Sequence, residues 1–121
     1  MKTEKIIYNN CTLAYVSGEE KVITDVQSAL DLAMSAKYEL GTNKIVIDKR
    51  LITEDFFILS TGVAGEILQK FINYDVKIAI YGDYSKYTSK PLKDFIYESN
   101  KGCDVFFVTD KEAAVNKLTD N

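Results

Sequence analysis

The sequence predicts an α/β domain built on a single mixed, mostly parallel sheet with flanking helices. Three observations lead there. Short β-rich runs alternate with stretches carrying the i, i+3, i+4, i+7 apolar spacing of helices, in the order β-β-α-β-α-β-α-β-α. Such alternation argues for parallel strands joined by right-handed crossovers. A hairpin signal at the start adds an antiparallel strand and makes the sheet mixed. The length of 121 residues, with 46% hydrophobic and 27% charged residues, suits one globular domain over residues 1–121 with a sizeable core.

In chain order, Lys5–Tyr8 and Thr12–Val16 read as strands, and Asn9–Asn10 between them suits a tight turn with positive φ. Thr24 with Gln27 reads as a capping box opening a helix whose apolar face is Val26, Ala29, Leu30, Ala33 and Met34. Gly41 fits the position just past that helix. Lys44–Asp48 is a short buried strand. Thr53–Glu54–Asp55 caps one turn through Phe56 and Phe57. Val63, Ile67, Leu68 and Phe71 form one stripe of the second main helix, which ends near Asn73–Asp75. Val76–Tyr81 is the next strand and Gly82–Thr88 a loop. Ser89 precedes a third helix with Pro91 in its first turn and Leu92, Phe95 and Ile96 on its apolar face. Asp104–Val108 is the last strand. Thr109 and Glu112 read as a capping box for a short final helix with Val115 and Leu118 facing inward, and Thr119–Asn121 should fray.

Composition excludes several function classes. There are no histidines, so the commonest general base and metal ligand are missing. Cys11 and Cys103 lack any CxxC spacing and read as two buried free thiols in a reducing compartment. A net charge of −3, scattered lysines and a lone arginine, Arg50, argue against nucleic acid. No apolar run approaches ~20 residues, so no membrane span is expected. Met1–Lys5 has no apolar segment behind it, and a cytoplasmic protein is the expectation.

In this fold class the loops at the carboxyl ends of the parallel strands gather on one edge, the usual ligand side. Asp48–Lys49–Arg50, Ser60–Thr61–Gly62 and Gly82–Asp83–Tyr84–Ser85 are expected to meet there. Ser60 or Thr61 reads first as an N-cap, and alternatively as a phosphorylation or anion site at a positive helix end. Gly62, inside the first turn, suggests close approach of a strand or partner, and Gly65 a packing glycine. Asp83 reads as a turn acceptor. Tyr81, Tyr84 and Tyr87 read as an exposed cluster suited to a protein–protein patch. Glu54 and Asp55 fit a helix start better than acid–base catalysis. Lys49–Arg50 is a weak anion-site candidate. Nucleotide-type Gly-x-Gly patterns and a P-loop are absent.

The segments Glu54–Phe71 and Tyr87–Asn100 resemble a bacterial family catalogued as domain of unknown function 4180, over nearly the whole chain. More distantly, the element order resembles the STAS domain of anti-sigma-factor antagonists. In that family an Asp-Ser-Ser-Gly-like motif opens a helix, and its second hydroxyl residue is phosphorylated by a partner kinase. That resemblance lays Ser60–Thr61–Gly62 on the Ser-Ser-Gly positions and Thr61 on the phosphorylated one, while Leu59 stands where the acidic residue would be. It implies a non-enzymatic regulatory or interaction module with a kinase or regulator as partner. The alternative is a domain binding a small anionic metabolite or nucleotide at the same edge. No cofactor or metal is expected, and the chain would act as a monomer or a homodimer.

Overall fold

The computed structural model describes residues 2–119. Strand β1 (Lys2–Tyr8) folds back on β2 (Cys11–Ser17) through Asn9 and Asn10, both at positive φ (51° and 64°) as a two-residue primed turn requires. Helix α1 (Val26–Glu39), β3 (Lys44–Asp48), α2 (Val63–Asn73), β4 (Lys77–Tyr81), α3 (Lys90–Lys101), β5 (Val105–Val108) and α4 (Lys111–Thr119) follow. The sheet is ordered β1-β2-β3-β4-β5, with β1 antiparallel to β2 and all other neighbours parallel. The α/β class and the mixed, mostly parallel sheet are therefore as predicted.

Sequential strand order has a direct consequence. Right-handed crossovers that step the sheet always in one direction place every connecting helix on the same face. Accordingly α1, α2 and α3 pack on one side, against Ala14, Val16, Ile45, Ile47, Ile78, Ile80, Val105 and Phe107. The alternate residues Leu13, Val46, Ala79 and Phe106 point the other way and meet Ala114, Val115 and Leu118 of α4. The central strands are buried on both faces, which is why they read as unbroken apolar runs.

Several boundaries differ from the sequence reading. The capping box of α1 is Asp25 with Ser28, one residue beyond Thr24 and Gln27: Asp25 Oδ1 accepts the Ser28 N–H at 2.8 Å, and Ser28 Oγ accepts the Asp25 N–H at 3.0 Å. Helix α4 is opened by Asp110, whose Oδ1 accepts the Ala113 N–H at 2.8 Å, rather than by Thr109 and Glu112. In both cases an aspartate adjacent to the first turn outcompetes a threonine further out. Thr119 is buried and donates to Val115 O; the expected fraying of Asp120 and Asn121 lies outside the described residues. Cys103 is exposed in the turn after α3 and Cys11 half-buried, so both thiols are free but neither is a core residue.

The long connection from Asp48 to Gly62 is built, not open. It contains three 3₁₀ turns (Lys49–Leu51, Glu54–Phe57, Leu59–Thr61). Ile52 pairs with Ile23, and the Thr53 N–H reaches Ile23 O at 2.8 Å, so the connection is tied to the segment after β2. Phe56 and Phe57 are buried beneath it.

The glycines in α2 also differ from expectation. Gly62 is the N-cap, at φ +78°, and a Cβ there would meet nothing within 4 Å. It is required by backbone conformation, not by the close approach of a strand or partner. Gly65 is exposed with open space around it, so it is not a packing glycine. Gly65→Ala should therefore raise stability by about 0.5 kcal/mol, through a less flexible unfolded chain. A urea melt showing a loss of stability would contradict this.

Candidate functional site at the carboxyl edge

The carboxyl ends of β3 and β4 carry Asp48 and Tyr81 side by side. Asp48 caps the 3₁₀ turn that follows it. Its Oδ1 accepts the Arg50 N–H at 2.9 Å, and its Oδ2 takes the Arg50 guanidinium through Nε at 3.1 Å and Nη2 at 2.9 Å. Burial pushes the Asp48 carboxyl up, but these bonds to Arg50 outweigh it and hold the group below its ordinary value. Next to it, the hydroxyls of Tyr81 and Tyr15 meet at 3.2 Å. Burial, then this bond, raises Tyr81 well above the usual tyrosine range.

The centre of the edge is Lys49. Its side chain turns inward and is 10% exposed. The ammonium sits over two rings, 5.4 Å from the Phe57 centroid and 5.0 Å from that of Tyr87, with Glu54 Oε1 at 3.9 Å. Phe57 and Tyr87 stack at 5.3 Å with 19° between their planes. Glu54 gathers the rest: Oε1 accepts Lys86 Nζ at 3.1 Å and Oε2 accepts the Tyr87 hydroxyl at 3.1 Å. Burial lowers Lys49 below its ordinary value, the Lys86 charge adds to this, and Glu54 opposes both. For Glu54, burial pushes upward, but the bonds from Lys86 and Tyr87 and the Lys49 charge prevail and leave it below 4.5. Burial, then the bond to Glu54, raises Tyr87.

The sign of the linkage follows. A carboxylate with a depressed folded pKa stabilises fully above its unfolded value and loses that contribution as pH falls through the folded one. Glu54→Gln should therefore cost stability at pH 7, and the cost should shrink as the pH is taken below about 4. Equal costs at both pH values in chemical denaturation would show that the Glu54 charge does not hold this corner.

Gly82 lets the two loops meet. A Cβ there would lie 2.8 Å from Lys49 Cβ, and its φ is +156°. Asp83 is exposed and accepts the Ser85 N–H at 2.8 Å, as a turn acceptor should. The Ser85 hydroxyl, then this backbone bond, and more weakly the Lys49 charge keep its carboxyl below its ordinary value. Tyr84 donates its hydroxyl to Ile80 O at 2.7 Å and meets the Phe107 ring edge-on at 5.8 Å. Tyr81, Tyr84 and Tyr87 are thus half-buried and knit the loop to the core, not an exposed cluster. Tyr84 and Tyr87 pack on Phe57, and Tyr84 also on Phe107, whereas Tyr81 lies on the opposite face of the sheet beside Tyr15.

The third predicted segment joins only in part. Ser60 lines a groove of about 430 Å³ whose walls are Phe57–Ser60 on one side and Lys86–Ser89, Pro91 and Leu92 on the other. Neither Ser60 nor Thr61 is the N-cap of α2; Gly62 holds that position without any side-chain cap. The Thr61 hydroxyl accepts the Val63 N–H at the start of α2 at 3.3 Å and itself turns back, 2.8 Å from both Asp55 O and Ile58 O, so that it joins two successive 3₁₀ turns. Ile58 beside it is 50% exposed. Of the weak anion-site pair, Arg50 is folded onto Asp48 and Lys49 lies beneath the rings. Among the described residues no group of three histidine, cysteine or acidic side chains is placed to hold a metal ion, and no helix is long and apolar enough to cross a membrane.

Sequence reasoning missed the Lys49–Glu54–Lys86–Tyr87 constellation. Lys49 and Glu54 had each been noticed for other reasons, but Tyr87 lies 33 residues from Glu54 and nothing local announces the pair.

The molecule is thus an α/β domain with a closed, internally paired carboxyl edge beside an open groove. The sequence profile of a domain of unknown function, DUF4180, matches residues 8–118, and the chain belongs to that family. Neither the curated proteins nor the solved structures gave a match.

Proposed function

We propose that this chain is a non-enzymatic, STAS-like regulatory module that docks a protein partner along the groove between residues 57–60 and 86–92. The observation that carries this reading is the hydrogen bonding of Thr61. Its hydroxyl holds the turn bearing Ile58, Leu59 and Ser60 against the turn before it, and so sets one wall of the groove. A phosphate on Thr61 would remove the donor and bring about −1.5 to −2 charges toward two carbonyl oxygens. The wall would be released, which is what a phosphorylation switch on a docking surface needs. The sequential parallel strand order and the hydroxyl–hydroxyl–glycine entry to α2 fit the same reading. So does the closed state of the edge, where Lys49, Glu54, Asp48 and Arg50 are engaged with one another and none stands as a free general base.

Thr61→Glu removes the donor and adds an acid. It should lower the yield of co-purifying partner at least ten-fold while leaving the far-UV spectrum unchanged. Equal recovery with wild type and variant would sink the switch.

The size of the groove favours a second reading, a small-ligand site, since about 430 Å³ lies within the range of such pockets. A ligand present at 100 times its Kd stabilises by about 2.7 kcal/mol. Thermal shifts with nucleotides or acidic metabolites would favour this reading over the first.

A further inference from the structure

The two edges of the sheet are finished differently. On β5, alternation turns the N–H and C=O of Phe107 away from β4, because Asp104 O and Val108 O already accept from β4 and Gly82. Both outward groups are taken by one side chain: Asn100 Oδ1 accepts the Phe107 N–H at 2.7 Å, and Asn100 Nδ2 donates to Phe107 O at 3.1 Å. Helix α3 thus blocks that edge at Phe107 with a side-chain amide that mimics a neighbouring strand.

The β1 edge has no such block. The two-residue turn makes Tyr8 and Cys11 a hydrogen-bonded pair, so Ile6, Glu4 and Lys2 also bond to β2. Thr3, Lys5 and Ile7 therefore direct their N–H and C=O outward. Among the described residues β1 has β2 as its sole strand neighbour. The strand has a charged half, Lys2, Glu4 and Lys5, and an apolar half, Ile6, Ile7 and Tyr8. Ile7 is 69% exposed and Tyr8 45%. Beside them, on the α4 face, Ile6, Tyr8 and Val115 line a groove of about 510 Å³ rimmed by Lys111 and Glu112.

We propose that β1 pairs antiparallel with β1 of a second copy of this chain, about a two-fold axis at Ile6. The alternatives are poorer: an axis at Ile7 pairs only residues 6–8 and carries Lys5 onto the turn at Asn9, which leaves the outward groups of Lys5 unpaired. An axis at Lys5 sets two ammonium groups opposite each other, and one at Glu4 sets two carboxylates opposite. Centring on Ile6 places Ile6 against Ile6 next to the apolar groove. Lys5 and Ile7 become the hydrogen-bonded pair on both sides of the axis, so the outward groups of both residues are satisfied. Glu4 comes opposite Tyr8 of the second copy, on the face where Lys111 rims the groove, bringing an acid toward a base. The charged half opposes unregulated stacking, while the apolar half supplies the contact. Two five-stranded sheets join into one, with the blocked β5 edges at its ends. The groove at the carboxyl edge is not involved, so this pairing stands or falls independently of the partner-docking reading.

Sedimentation velocity tests the state, and cysteine cross-linking the register. The wild-type chain should sediment at twice its 13.7 kDa mass at concentrations up to about 100 μM. Ile7→Pro removes an N–H that serves no bond to β2, so it should halve the mass without loss of fold. Ile7→Lys sets a second ammonium against Lys5 of the other copy and should do the same. With Cys11 and Cys103 changed to serine, Ile6→Cys should form an intermolecular disulfide. A non-hydrogen-bonded pair holds its Cα atoms about 4.5 Å apart, inside the roughly 4.4–6.8 Å that a disulfide spans. Lys5→Cys should not cross-link. A monomeric wild type, a dimer that survives both Ile7 variants, or cross-linking at position 5 instead of 6 would overturn the proposal.

Discussion

Truncating Phe71 to alanine should lower the unfolding free energy by about 3–5 kcal/mol, a large share of the roughly 5–15 kcal/mol that holds a domain of this size. Phe71 is fully buried at the end of the α2 stripe and belongs to the larger of the two cores. That core also takes in the sheet, and α2 packs on α1 and on the 3₁₀ turns before it, ordered elements that cannot collapse into the space left behind. Its carbonyl also accepts the Val76 N–H at 2.7 Å, the bond that turns the chain from α2 into β4. A lower urea midpoint at unchanged slope is the expected signature. A cost below about 1.5 kcal/mol would mean that α2 repacks freely and that its stripe does not define the core.

Gly82→Ala should be the second large loss, about 2–6 kcal/mol. Backbone strain at φ +156° contributes roughly 1–3 kcal/mol. Overpacking against Lys49 Cβ, 2.8 Å from the added methyl, contributes a similar amount. The glycine cannot step aside, because its N–H is held by Val108 O at 3.0 Å. Lys49 must move instead, away from Phe57, Tyr87 and Glu54. Near-neutral behaviour in the same melts would show that the two loops at the carboxyl edge do not interlock. The contrast with Gly65→Ala, expected to gain stability, separates a glycine required by its surroundings from one that is not.

What was legible in the sequence follows from the range of the forces involved. The Asn9–Asn10 turn, the α2 stripe and the capping of α3 by Ser89 are set by neighbours within a few residues, and each stands where local chemistry puts it. The α1 and α4 starts slipped by a residue, because Thr24–Asp25 and Thr109–Asp110 each offer two competent caps in a row and only geometry decides between them. At the edge, Asp48 and Gly82 were legible from the rule that ligand loops follow parallel strands. The role of Thr61 was not. Its hydroxyl faces Asp55 and Ile58 because Thr61 closes a 3₁₀ turn, from which a threonine bonds back to the carbonyl three residues earlier, and a serine–threonine–glycine string does not announce that turn. The burial of Lys49 was also hidden, since the rings that receive it and the carboxylate that faces it come from two separate loops.

The most direct test of the central claim is site-specific photo-cross-linking in living cells, with a benzophenone side chain replacing Ser60 at the groove or Tyr97 on the exposed face of α3. The account predicts a discrete protein adduct from position 60, none of that adduct from position 97, and its loss when Thr61→Glu is added. The same adduct from both positions, or an adduct from position 60 that Thr61→Glu leaves untouched, would contradict a docking groove controlled by Thr61.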